Sequence, residues 1–133
     1  MNKGIVLGLL MVLSASSAFA EPVDYDRAIH ALIGEAGGQG EDELQAHACA
    51  LRNRGSLRGV YGVHADIRNR GQKARHRAVI AWNRACGGLD TVNGATHWLS
   101  DYDLAHSRPA LIAWRHKAVY RVKVGSTWFY RLK

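Results

Sequence analysis

Hydrophobic periodicity changes once along this chain, and that change constrains the fold more than any other feature. From Tyr25 to Cys86 the apolar and alanine residues recur at helical spacing. From Ala118 the run Ala118-Val119-Tyr120-Arg121-Val122-Lys123-Val124 alternates apolar with other residues at the period of a strand. Helices first and a small sheet afterwards predict an α+β domain. The first helix is expected from about Asp24 to Glu35. Asp24 is the cap, Asp26 lies in the first turn, and Gly37-Gly38 ends it. Tyr25, Ala28, Ile29, Leu32 and Ala36 form its core face. Glu35 falls three residues after Leu32 and seven after Ala28, close to that same face. A second helix is expected over Glu41 to Arg54, with Glu41, Asp42 and Glu43 at its start, Arg52 and Arg54 at its end, and Gly55 closing it. Its buried stripe is Leu44, Ala48 and Leu51. Gly55 to Ile67 reads as a loop. A third helix from about Gln72 to Cys86 carries the small-residue stripe Ala74, Ala78, Ala81 and Ala85, which favours close packing. Gly125-Ser126 is a turn signal, and Thr127-Trp128-Phe129-Tyr130 completes a C-terminal antiparallel hairpin.

The first twenty residues read as a secretory signal peptide. Lys3 is followed by the short apolar run Ile5 to Leu13, then by Ala18-Phe19-Ala20, a pattern signal peptidase accepts. The run is too short to span a bilayer. The expectation is an exported protein, periplasmic or extracellular, cleaved near Ala20, with residues 21–133 forming one small domain and no stable membrane insertion. Leaving out Lys3, 17 of the 18 Lys and Arg remain against 11 Asp and Glu, a net charge of +6. A basic exported chain points to envelope polyanions rather than nucleic acid. The densest run, Arg68 to Arg77, reads either as a docking surface or as a solvated helix face with its approach loop. Cys49 and Cys86 are the two cysteines, and an even count in an oxidising compartment favours a disulfide between them, worth about 3–4 kcal/mol. The other reading is two buried free thiols.

Several chemistries have no motif here. The chain lacks a Gly-rich phosphate loop, His-Glu-x-x-His, Cys-x-x-Cys and Gly-x-Ser-x-Gly. Its seven histidines form no ligand pair within one helical turn, so neither a metal nor another cofactor is expected. Glu35 is the candidate catalytic residue. It ends a helix, lies near the apolar face and precedes a glycine-rich loop. Burial disfavours the charged form of a carboxyl group, and a protonated carboxylic acid in a cleft is what protonating a glycosidic oxygen requires. The competing reading is a helix-end glutamate that reaches solvent or pairs with arginine.

The neighbours of Glu35 form a pattern. Gly34-Glu35-Ala36 is followed by Ala46-x-Ala48 and Asn53-Arg54. Asp90-Thr91-Val92-Asn93-Gly94-Ala95-Thr96-His97-Trp98, Trp114 and Val124-Gly125-Ser126-Thr127-Trp128-Phe129-Tyr130 come after. In this order the patches resemble the SleB-type cell wall hydrolases over nearly all of residues 21–133. The chain departs from that pattern at Gln39 (an acid in the family), Thr91-Val92 (Pro-Thr), His47 (Val) and Thr127 (His). The resemblance implies a lysozyme-like fold, peptidoglycan glycan strands as partner, and cleavage of the β-1,4 bond between N-acetylmuramic acid and N-acetylglucosamine.

Hydrolysis of that bond ordinarily needs a second carboxylate at a set distance from the acid. Asp66, Asp90, Asp101 and Asp103 are expected in loops without a distinguishing context. A single glutamate instead suits lytic transglycosylation, in which Glu35 acts as acid and then as base for the muramoyl C6 hydroxyl. Asn53, His97, Trp98, Thr127 and Tyr130 are the candidate substrate-binding residues. The rival reading is a non-catalytic or weakly active envelope protein that grips peptidoglycan or an anionic partner through its basic surface.

Overall fold

The computed structural model describes residues 23–106 and 109–133, and the expected signal peptide lies outside the described residues. Asp24 starts helix α1 (Tyr25–Ala36) as expected, its carboxylate accepting from the Arg27 backbone N–H at 3.0 Å. Helix α2 (Glu41–Arg54) runs between the expected limits, and Gly55 closes it in the left-handed conformation at φ 66°. Helix α3 (Gly71–Cys86) begins one residue earlier than expected. The segment between α2 and α3 contains a short 3-10 turn, Tyr61–His64.

The sequence places one buried stripe on α2, but every residue from Glu43 to Leu51 is buried. The helix sits centrally and touches α1, α3 and the sheet. Alanines on α2 and α3 allow that close approach, and Gln45 of α2 donates to the Ala81 carbonyl of α3 at 2.9 Å. Ile29 and Leu32 of α1, Leu44 and Leu51 of α2, and Phe129 fill the centre.

The sheet has three antiparallel strands rather than two. Strand β1 (His97–Ser100) and strand β2 (Ala118–Val124) flank the central β3 (Thr127–Leu132). Register sets His97 opposite Tyr130 and Trp98 opposite Phe129. Asp101 and Asp103, expected in a loop, belong to a short helix α4 (Asp101–His106). Ser100 and Asp103 cap its start reciprocally, each side chain accepting from the other's backbone N–H at 3.0 Å. A 3-10 segment, Pro109–Lys117, leads into β2. The domain is α+β, with α1–α3 preceding a small antiparallel sheet whose first two strands are joined through α4 and the 3-10 segment.

The expected Cys49–Cys86 disulfide is not formed, and both thiols are free. Cys49 is buried and donates its S–H to the Leu89 carbonyl at 3.2 Å, while Cys86 is exposed at the end of α3. An even count cannot tell whether two helices turn their cysteines toward each other. The basic run is partly tied to the fold: Arg68 pairs with Asp66, Arg75 with Asp26, and Arg77 donates to the Gln39 carbonyl. Among the described residues no helix is long and apolar enough to cross a membrane.

Candidate active site

Glu35 is the penultimate residue of α1 and is half-buried. Its carboxyl group is held from two other parts of the chain. The Gly62 N–H donates to Oε1 at 2.9 Å, and the Trp98 indole N–H donates to Oε2 at 3.3 Å. The first contact depends on two glycines. A Cβ on Gly34 would stand 2.7 Å from the Gly62 Cα, and one on Gly62 would stand 2.7 Å from the Glu35 Cγ. Only without side chains can α1 and the 3-10 turn approach backbone to backbone. His30, one turn earlier in α1, bonds the Ala65 carbonyl at 2.8 Å and fixes the other end of that turn.

Trp98 is braced from behind by His47, edge-on at 5.4 Å between ring centroids, and His47 packs edge-on against Phe129 at 5.2 Å. His47 is fully buried, with Nδ1 2.7 Å from the Glu43 carbonyl. A carbonyl only accepts, so Nδ1 carries the proton. Burial lowers the His47 pKa, against the opposing pull of that hydrogen bond and of the Glu35 and Glu43 charges. The ring is therefore a neutral wedge behind the indole.

Glu35 opens onto a cleft of about 460 Å³, within the range of small-ligand sites. Trp98, His97, Trp114, Val60 and Tyr61 line it, together with the ionisable side chains of Arg54 and Asp103. The Tyr61 ring is 81% exposed, so its face is available for stacking. His97 is held down to about 4, first by burial and then by the Arg54 charge, so it is neutral near pH 7. Its ring lies 4.9 Å from that of Trp114. Burial pulls the Arg54 guanidinium below its ordinary value while the Glu35 charge opposes the shift, and the group remains a cation. Among the described residues no group of three or more His, Cys, Asp or Glu side chains is arranged to hold a metal ion.

Of the candidate site residues, Glu35, His97 and Trp98 are brought together. The other three are not on the cleft wall. Asn53 donates to the Ala95 carbonyl at 3.1 Å and ties α2 to the segment before β1. Thr127 is buried, and its hydroxyl donates to Glu43 Oε1 at 2.8 Å, so it is committed to the fold rather than offered to substrate. Tyr130 is buried behind the cleft, edge-on to Trp114 at 5.6 Å. Arg54 and Tyr61 line the cleft and Gly62 is a donor, and none of them is among the sequence candidates; Asp103, one of the four aspartates considered for a second carboxylate, also lines it. The Asn53-Arg54 motif was a signal for Arg54. Nothing local singles out Gly62 or Tyr61.

No protein family, curated protein or solved structure matches this chain.

Proposed function

We propose that this chain is a peptidoglycan-cleaving glycosidase. It acts on the bond between N-acetylmuramic acid and N-acetylglucosamine by lytic transglycosylation, exported after cleavage near Ala20. The observation that carries the reading is Glu35, a half-buried carboxyl on an open cleft with each oxygen oriented by a separate donor. The ordered SleB-type patches add support, because Glu35 and Trp98 come from two of them and touch. On this reading the domain is lysozyme-like in relation, with a helix-borne acid facing a small sheet across the cleft.

On this reading Glu35 acts twice. Protonated Glu35 gives its proton to the glycosidic oxygen as the C1–O bond breaks, and the N-acetylglucosamine hydroxyl leaves. Gly62 and Trp98 offer hydrogen bonds to the carboxylate that remains, and Arg54 offers a charge. The carboxylate then takes the proton of the muramoyl C6 hydroxyl as that oxygen attacks C1, closing a 1,6-anhydro ring and restoring the acid. The aromatic faces of Trp98, Trp114 and Tyr61 suit pyranose rings.

One observation favours a second reading, hydrolysis: Asp103 lines the same cleft as Glu35 and offers a second carboxylate. Purified protein and its Glu35→Gln and Asp103→Asn variants are incubated with peptidoglycan sacculi, and released muropeptides are identified by mass. Transglycosylation yields anhydro products that fall about 10²–10⁴-fold in Glu35→Gln and persist in Asp103→Asn. Reducing-end products lost in both variants identify hydrolysis. Retention of the wild-type protein on sacculi with no product overturns the enzyme and leaves the envelope-binding module.

A further inference from the structure

A second cleft, of about 480 Å³, adjoins the first and shares Gly59, Val60 and Tyr61 with it. The two clefts meet along that strip. The second is cationic: Arg27 and Arg58 line it with His64, and no Asp or Glu does. Both arginines are exposed, and among the described residues neither guanidinium makes an ion pair or a side-chain hydrogen bond. Arg68 and Arg75 differ, since each meets an aspartate. The strip carrying Arg58 is fixed in place. The Arg54 guanidinium donates to the Arg58 carbonyl, the Arg58 N–H donates to Ser56 Oγ at 3.1 Å, and the Val60 N–H donates to the Leu57 carbonyl at 3.0 Å. A residue of the first cleft thus pins the backbone of the second.

We infer that this second cleft binds the carboxylates of the peptidoglycan stem peptide. The inference rests on the glycosidase reading for the identity of the substrate. The muramoyl sugar whose C1 reacts also bears, on its C3 oxygen, a lactyl group and a peptide rich in carboxylates. With that sugar at Glu35, its peptide has to leave the first cleft over a rim. Tyr61 forms a rim shared with a basin that holds two guanidinium groups without an ion pair among the described residues. Arg27 lies eight residues before Glu35 in α1, about 12 Å along the axis, a span a short extended peptide covers. Guanidinium–carboxylate hydrogen bonds are charge-assisted and paired in geometry, so they would position the peptide as well as hold it.

The Glu35→Gln protein is titrated by calorimetry with a synthetic stem tetrapeptide, so that binding is read without turnover. Saturable binding is expected, weakened about tenfold or more by Arg27→Gln with Arg58→Gln, weakened equally when the peptide carboxylates are amidated, and reduced by salt. The charge-matched Arg68→Gln with Lys73→Gln, two residues outside the cleft lining, should change it by less than about twofold. Absence of binding, equal binding of free and amidated peptide, or equal loss in both double variants overturns the proposal. Failure of the glycosidase reading shows separately, as absence of product from sacculi with the wild-type protein, because tetrapeptide binding needs no turnover.

Discussion

Gly62 gives its N–H to Glu35 while its Cα packs against α1, at a spacing where a methyl group would meet both the Ala31 carbonyl and the Glu35 side chain. Gly62→Ala is therefore expected to force the turn away from α1. Overpacking at such a contact costs about 1–3 kcal/mol, and the carboxyl loses one of its two orienting donors. Chemical denaturation and muropeptide release, measured on the same preparation, should both fall. Unchanged release would show that the Gly62 hydrogen bond does not orient the acid. His47 works at the same scale from behind. It is neutral, buried and in contact with Trp98, and so acts as a shaped filler.

At the scale of elements, one buried carboxylate joins the helices to the hairpin. Glu43 of α2 accepts from the Ser126 N–H at 2.9 Å, the Ser126 hydroxyl at 2.8 Å and the Thr127 hydroxyl at 2.8 Å. Gln39 can also direct its amide at the same carboxylate, at 3.2 and 3.3 Å. Glu43→Ala leaves those donors without a partner and is expected to cost about 3 kcal/mol or more, against about 1 kcal/mol for Thr127→Val. Hydrogen exchange at Ser126 and Thr127 should accelerate in the first variant before it does in α1. Equal costs for the two variants would mean that the turn is held by something else. The elements themselves were legible where local chemistry decides them. The limits of α2 follow from its acidic first turn, its basic last turn and Gly55. Strand β1 was not legible, because four residues carry too little alternation and its state comes from pairing with β3. The all-round burial of α2 was hidden because its outer faces are Ala, Gln, Cys and His, which mark no apolar side. The cleft followed the same division. Glu35 stood out through its place on a helix, whereas Tyr61 and Asp103 reach it only through tertiary closure.

At the scale of the whole molecule, two histidines couple stability to pH. Burial holds His47 below its ordinary value, and His97 lies near 4 against 6.5 when free. The unfolded chain therefore binds protons that the folded one refuses. The contribution is fully present above pH 6.5 and is lost as pH falls from there toward about 4, where folded His97 also protonates. Melting temperature is expected to drop between pH 7.5 and pH 5, and to drop less in His47→Gln and His97→Gln. Equal drops in wild type and both variants would assign the acid sensitivity to the carboxylates instead.

The two donors to Glu35 lie 27 and 63 residues away from it in the chain. An unfolded chain already contains the glutamate but nothing to aim it. The carboxyl acquires both donors only when the sheet has closed on the helices and brought the Trp98 indole to the end of α1. The orientation of Glu35 is thus a property of the closed fold and not of any single segment.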